Sequence, residues 1–195
     1  NIEYAQADIL ELGAIDRTFD RIESVGVLHH LAEPTAGRRV LVSLLRPGGK
    51  MRIGLYSELA RRVIVEARAR IAERGYRATA DDIRRCRQEI IRDPGHWKML
   101  LGSPDFYSMS GCRDLLFNIM EHRFTIPGIA AFLKDSGLSF LGFEPFDDPA
   151  VLEKFHSQFG NAADETDLDQ WHRFETEHPE TFWDMYNFMA GKSAH

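Results

Sequence analysis

Two adjacent histidines, His29 and His30, are the side chains of this sequence best suited to chemistry. A neutral imidazole near pH 7 can take a proton from a hydroxyl or an amine. Neighbouring residues on a strand or helix cannot face the same direction, so we expect one ring to face a pocket and the other to pack or cap. A purely structural role, closing a pocket wall, is the alternative for either ring.

The elements around the histidines predict where they lie. Residues 19–28 are typical of a buried strand and 50–56 of a second one, with Met51, Ile53 and Leu55 on one face. A helix is expected between them, beginning at Pro34 and ended by the glycines after Pro47. Parallel α/β sheets bind ligands where their strands end, so the histidines and Tyr56 are expected on the ligand side.

The remaining pattern predicts two more strands and a largely helical remainder. A short strand is expected over residues 2–7 and another over 138–144. Helices are predicted by apolar spacing and by capping residues such as Thr79 and Thr125. They cover residues 58–74, 81–91, 110–122, 125–137, 148–160, 167–177 and 179–190, with Trp171, Phe174, Phe182, Trp183 and Met185 as packing anchors in the tail.

Composition bounds the class of protein. The chain has 195 residues, 44% of them hydrophobic, which suits one domain with a sizeable core. A net charge of −6 argues against nucleic-acid binding, and no apolar run approaches the roughly 20 residues of a membrane helix. Cys86 and Cys112 form no CxxC pair, which favours reduced thiols in a cytoplasmic protein.

Charge is unevenly distributed along the chain. Residues 61–98 hold eleven Lys and Arg against six Asp and Glu, and residues 144–184 hold twelve acidic side chains against two basic ones. Solvated helix faces that partly complement each other explain this pattern, and a basic lid over an anionic substrate is the alternative. His172 and His178 are six residues apart and do not share a helical face, so no metal site is predicted.

Four segments together resemble class I S-adenosylmethionine-dependent methyltransferases. They read DILEL from Asp8, FDRIESVGVLHHL from Phe19, LLRPGGKMRIGLYS from Leu44 and FTIPGIAAFLKDSGLSFLGFE from Phe124. The last is similar to the methyltransferase domain of bacterial tetratricopeptide-repeat methyltransferases, so such repeats are expected upstream in the intact protein. The resemblance implies an α/β fold, a partial Rossmann-like methyltransferase sheet with a helical insertion and a helical C-terminal tail.

The resemblance also implies S-adenosylmethionine as the cofactor and a set of residues that contact it. Asp8 would accept a hydrogen bond from the adenine amino group, and the Ile9 N–H would meet a ring nitrogen. Backbone carbonyls of Ser24, Val25 and Gly26 would face the cofactor's ammonium group. A turn-forming role for Asp8 and a bulge at Gly26 are the structural alternatives.

The binding pocket for the methyl acceptor is expected to be formed by residues after the cofactor-contacting segments. Tyr56 and Tyr107 would line the pocket of a small-molecule acceptor, with the histidines as the catalytic groups. The domain prediction is a partial methyltransferase domain over residues 1–145, including a helical insertion or lid at 58–123. A helical extension packed on the same domain follows at 146–195, and the insertion could equally serve packing or dimerisation.

Two features lead us to expect a fragment. The first residue is asparagine, and the glycine-rich GxGxG loop and ribose-binding acid of the family are absent from the sequence. By the family's strand order, the missing strands would lie between the strand at 2–7 and the one at 19–28. Both edges would then be unpaired, which is costly and invites association, so a homodimer stays open.

Two other functions compete with methyl transfer. A nicotinamide-dependent oxidoreductase uses a related sheet, although the HHL turn and the PGGK corner fit the methyltransferase better. A degenerate, non-catalytic module for interaction or regulation is the second rival.

Overall fold

A computed structural model describes residues 2–118, 120–144, 149–160 and 162–194. The chain divides into two compact units, the first formed by residues 1–60 with 122–195 and the second by Arg61–Glu121. The first unit contains β1 (Phe19–Val25), α1 (Pro34–Ser43), β2 (Leu45–Tyr56), α6 (Ile126–Asp135), β3 (Leu138–Phe143), α7 (Ala150–Phe159), α8 (Leu168–Glu177) and β4 (Met185–Lys192), with 3₁₀ helices at Ile9–Ala14 and Leu28–His30. The second contains α2 (Arg62–Glu73), α3 (Ala80–Ile91), α4 (Lys98–Gly102), a 3₁₀ helix at Pro104–Tyr107 and α5 (Met109–Phe117).

The first unit is built on a four-stranded mixed sheet with the order β1-β2-β4-β3. β1 and β2 are parallel, with Ser24 opposite Ile53, and α1 makes the crossover between them. β4 is antiparallel to both of its neighbours, β2 and β3. The predicted strands at 19–28, 50–56 and 138–144 are present, but β1 ends at Val25 and β2 begins at Leu45. Pro34 lies in the first turn of α1 as predicted, whereas the glycines after Pro47, predicted to end this helix, lie within β2.

One face of this sheet carries the hydrophobic core. The side chains that β2 contributes to this face are Met51, Ile53 and Leu55, and β4 contributes Phe188. None of the four has exposed surface. Side chains from the helices pack onto this face, and they include Ile126, Ile129, Phe132, Leu133, Phe155, Trp171 and Phe174. The Trp171 and Phe155 rings stack with centroids 4.1 Å apart. The apolar side chains on one face of the strands and on one face of each helix thus form a single buried layer.

The opposite face of the sheet carries charge. Arg52 of β2 forms a two-pronged ion pair with Glu144, in which Nη2 donates to Oε2 over 2.7 Å, and its Nη1 lies 3.5 Å from Glu23. The hydrogen bonds from Arg52 hold the pKa of Glu144 below its usual range. Strands with one apolar and one polar face alternate in sequence, unlike the continuous apolar runs of a sheet covered on both sides.

The predicted strand over residues 2–7 is wrong. The structure forms no strand there, and Ile2 and Tyr4 are exposed. A strand needs a partner edge to satisfy its backbone, and residues 2–7 pair with none of the described strands. The outer edge of β1 is likewise unpaired among the described residues, and Val25 and Val27, predicted to be buried, are 37% and 41% exposed.

The predicted helix over residues 179–190 is also wrong. β4 occupies Met185–Lys192 and lies inside the sheet, with Tyr186, Phe188 and Ala190 on the core face. The outward positions include two methionines, and this apolar outer row masked the two-residue period that marks a strand. Trp183, predicted to be an anchor, is 59% exposed.

The second unit is a helical cluster with a core of its own. Thr79 caps α3 by accepting a hydrogen bond from the Asp82 N–H, as predicted. Ile91, at the end of the predicted helix over 81–91, is exposed, and α5 ends at Phe117, short of the predicted helix over 110–122. Ile119 and Asp148 of the predicted helices lie outside the described residues. The core gathers Ile64, Ala67, Ile71, Ile83, Cys86, Ile90, Trp97, Leu100, Phe106, Cys112, Leu115 and Leu116.

A substitution at Gly54 tests how tightly β2 is enclosed. A Cβ there would lie 2.7 Å from the Val25 side chain and 2.8 Å from Asn187 and Met185. We expect Gly54→Ala to lower the free energy of unfolding by about 1–3 kcal/mol, because overpacking forces neighbours to shift. Gly95→Ala is the control, since nothing lies within 4 Å of its Cβ position. Chemical denaturation measures both, and equal effects would contradict this packing.

Candidate functional site

The structure brings together His29, His30 and Tyr56 at the carboxyl ends of β1 and β2. The histidines occupy the 3₁₀ turn Leu28–His30 just after β1, and Tyr56 is the last residue of β2. The His29 ring stacks on the Tyr56 ring with centroids 3.6 Å apart and planes inclined by 23°. The His30 ring meets His29 edge-on at 4.4 Å and Tyr56 at 5.6 Å. A compact aromatic cluster therefore lies where a parallel sheet binds its ligands.

Burial separates the two histidines. His29 has no exposed surface, whereas His30 is half-buried. The segment after the insertion fastens both strand ends: the His122 N–H donates to the His29 carbonyl and the Phe124 N–H donates to the Tyr56 carbonyl, each over 2.8 Å. His29 is thus enclosed in the cluster, and His30 is the histidine of the pair that keeps exposed surface.

The end of β1 leaves open space beside Gly26. Its φ is +76°, and nothing lies within 4 Å of the position that a Cβ would take. Ser24 is buried on the helix-covered face, so only its backbone is available for contact at the strand edge. Val25 faces the other side and is partly exposed. Ser24 and Gly26 are thus placed to present backbone rather than side chains.

Asp8 and Ile9 begin the first 3₁₀ helix and lie beside α1. The Asp8 carboxylate is exposed and accepts a hydrogen bond of 2.9 Å from the Leu10 N–H as the helix cap. The Ile9 side chain comes within 3.5 Å of the Cβ position of Gly37 on α1, which also meets Leu28 and Leu31 around the histidine turn. Gly37 therefore lets the Asp8 turn and the histidine turn approach the same helix.

Tyr107 belongs to the second unit. It is exposed, and its hydroxyl donates to the Leu101 carbonyl over 2.8 Å. Its role in substrate binding stays a prediction.

A buried polar network beneath the cluster escaped sequence reasoning. The Ser57 and Tyr186 hydroxyls both donate to Glu175 Oε1, over 3.1 Å and 2.6 Å, and the Ala60 N–H donates to Ser57 Oγ. All three side chains are buried, and burial together with the Glu175 charge raises the pKa of Tyr186. The tyrosine therefore stays a neutral donor. Glu175 lies with Trp171 and Phe174 on the buried face of α8. Its helical spacing from these two residues was the sequence signal that could have predicted a buried carboxylate.

Removal of the Glu175 carboxylate should weaken the end of β2. We expect Glu175→Ala to lower the free energy of unfolding by about 1–3 kcal/mol, because two buried hydroxyls lose their acceptor. Glu180→Ala, at an exposed position, is the matched control and should change stability little. Urea denaturation of both variants provides the measurement, and equal stability would show that the network contributes nothing.

Other features of the described residues offer no second centre. A concavity of about 630 Å³, lined by Asp16, Arg17, Thr18, Phe19, Asp20, Arg21 and Arg46, lies at the amino end of β1, opposite the histidines. Within the described ranges, no three His, Cys, Asp or Glu side chains are grouped to hold a metal ion. No helix in the described part of the chain is long and apolar enough to span a membrane.

Sequence comparison relates the chain to methyltransferases. Residues 1–53 match the family described as a methyltransferase domain. A curated relative, an uncharacterized protein of Synechococcus sp., is 30% identical over 157 residues, which are 75% of this chain and 37% of the relative. The chain therefore spans little more than a third of the length of this relative.

Comparison of folds finds the same architecture in solved structures. The structure of PKMT2 from Rickettsia typhi matches 94% of this chain with a TM-score of 0.65 and 12% identity. The structure of that protein in complex with AdoHcy matches with a TM-score of 0.66 and 15% identity. This chain covers 37% and 38% of those two chains. The predicted resemblance to class I S-adenosylmethionine-dependent methyltransferases and the α/β fold are thereby confirmed.

Proposed function

We propose that the protein transfers a methyl group from S-adenosylmethionine to a small-molecule acceptor, and that this chain forms the acceptor side of the site. The observation that carries the proposal is the His29–His30–Tyr56 cluster at the carboxyl ends of β1 and β2. The match of residues 1–53 to a methyltransferase domain and the fold neighbour in complex with AdoHcy support the choice of cofactor.

The residues near the cluster fit part of this cofactor. The exposed Asp8 carboxylate can accept a hydrogen bond from the adenine amino group, with the Ile9 N–H beside it as a donor. The open space at Gly26 allows a ligand to approach the end of β1, where the Ser24 and Val25 carbonyls can face an ammonium group. The sequence contains no GxG, so the proposal assigns this chain no glycine-rich contact to the cofactor.

The cofactor supplies a methyl group on a positively charged sulfonium, and the chain positions what attacks it. His30 takes the proton from an acceptor hydroxyl or amine, because its ring is half-buried and stands at the edge of the cluster. His29 and Tyr56 form a stacked wall that orients the acceptor and excludes water.

Calorimetric titration of the full-length protein tests the proposal against its rivals. We expect saturable binding of S-adenosylmethionine and of S-adenosylhomocysteine, with no binding of NAD. Binding of NAD in their place would favour the oxidoreductase. Failure of all three ligands to bind would favour a non-catalytic module, and either result would overturn methyl transfer.

Substitution of Asp8 tests the adenine contact. We expect Asp8→Ala to weaken S-adenosylmethionine binding about 10- to 100-fold, since a hydrogen bond to a charged group contributes about 1.5–3 kcal/mol. Asp16→Ala, another exposed carboxylate near the same 3₁₀ helix, is the control. Titration calorimetry on the full-length protein measures both, and an unchanged affinity in Asp8→Ala would reject the assignment.

A further inference from the structure

Arg38 is a buried cation in the second turn of α1. The residue is only 7% exposed. Its guanidinium lies against two aromatic rings, with Cζ 4.2 Å from the Phe132 centroid and 5.2 Å from the Phe124 centroid. Both rings contribute cation–π attraction and limit the space in which the guanidinium can move.

No carboxylate of the described residues compensates this charge. Nη2 donates to Thr35 Oγ1 over 3.0 Å, and Nε is buried without a hydrogen-bond partner. Burial and the neighbouring charge of Arg39 both lower the pKa of Arg38. A buried arginine in proteins is normally paired with an anion, because an unpaired charge is costly to desolvate. Within the described ranges, Arg38 is thus a buried cation with no anion beside it.

The position of Arg38 connects it to the candidate site. Phe124, which borders the guanidinium, donates its N–H to the Tyr56 carbonyl and pairs with Ser57 at the end of β2. α1 begins four residues after the histidine turn, and its N-terminal turn adds a partial positive charge. Thr35 accepts the hydrogen bond from Nη2 and is itself exposed. The Nη2 edge of the guanidinium therefore lies next to a residue that solvent reaches.

We propose that Arg38 and Thr35 bind a carboxylate of the acceptor, so that the substrate is a small carboxylic acid held at α1 while its nucleophile faces His30. A planar carboxylate matches the fork of guanidinium donors, and the contacts with Phe124, Phe132 and Thr35 hold those donors in place. Thr35 adds a hydroxyl donor beside the same edge. This inference rests on the proposed methyl transfer for the identity of the ligand as acceptor.

Acetate is the probe that tests the site without a known substrate. We expect titration at constant ionic strength, followed by calorimetry, to show saturable acetate binding to the full-length protein. Arg38→Met should weaken binding at least tenfold, and Arg39→Met, an exposed neighbour on the same helix, should not change it. Thr35→Val should also weaken acetate binding. Because position 35 is exposed, this variant tests the site even if Arg38→Met does not fold.

Three results would overturn the inference: no acetate binding to the wild type, equal binding in the Arg38 and Thr35 variants, or binding of inorganic phosphate in place of acetate. The first two would leave Arg38 with a packing role, and the third would assign the site to phosphate. S-adenosylmethionine titration of the same samples separates the two proposals. Acetate binding without cofactor binding would keep the anion site and reject methyl transfer.

Discussion

Replacement of Glu121 by alanine will lower the free energy of unfolding by about 3–5 kcal/mol, because it removes the carboxylate that neutralises buried positive charge. Arg61 forms a two-pronged pair with Glu121, with distances of 2.9 and 2.7 Å, and Arg68 adds a third hydrogen bond of 2.8 Å. The Arg61 and Glu121 side chains are 1% and 2% exposed. These residues are the first and last of the second unit, so the pair fastens its two ends together.

Chemical denaturation of Glu121→Ala measures this effect, with Glu66→Ala as the control. Glu66 pairs with Arg70 on the exposed face of α2, and its loss should cost about 0–1 kcal/mol. A similar loss of stability in both variants would contradict the role of the buried pair.

The same pair makes stability depend on pH. Burial by itself would raise the pKa of Glu121, but the hydrogen bonds and charges of Arg61 and Arg68 outweigh it and hold the pKa below its usual range. A carboxylate with a lowered pKa stabilises the fold at neutral pH, and that contribution is lost as the pH falls below the ordinary glutamate range. Glu121→Ala should therefore flatten the acid limb of the stability curve.

Replacement of His30 by alanine will lower turnover by about 10²- to 10⁴-fold, the usual contribution of a general base. The affinity for S-adenosylmethionine should stay within a factor of about two, since His30 acts on the acceptor. Initial rates of S-adenosylhomocysteine release, measured with the full-length protein and a panel of small hydroxy and amino carboxylic acids, give the turnover. His172→Ala, on the exposed face of α8, is the matched control.

Comparison with His29→Ala separates chemistry from packing. His29 is fully buried against Tyr56, so its loss should reduce stability as well as turnover. His30 is half-buried, and its loss should leave the unfolding midpoint nearly unchanged. Wild-type turnover in His30→Ala would return this residue to a structural role and remove the proposed base.

The parts of the fold that sequence predicted well are those with a strong local signal. β2 has buried Met51, Ile53 and Leu55 at alternate positions, and α1 begins at a proline after the histidine turn. The histidines and Tyr56 could be placed at one sheet edge because parallel strands end on the same side. Their ring stacking could not be predicted, since it depends on the segment after the insertion, which pairs with the end of β2.

The errors have physical causes in long-range pairing. Residues 2–7 alternate as a strand should, but no described edge lies beside them. β4 was predicted as a helix because its outward methionines hide the alternation, and only pairing with β2 and β3 selects the strand. Glu175 and Arg38 became visible as buried polar groups only once the helices were packed on the sheet.

Hydrogen–deuterium exchange of the full-length protein with S-adenosylhomocysteine tests most directly the claim that the carboxyl ends of β1 and β2 form the site. We predict slower exchange in the ligand complex for peptides that cover residues 8–12 and 24–30, with no change in peptides of α3, which lies in the second unit. Saturating ligand that leaves both of those segments unprotected would contradict the site proposed for this chain.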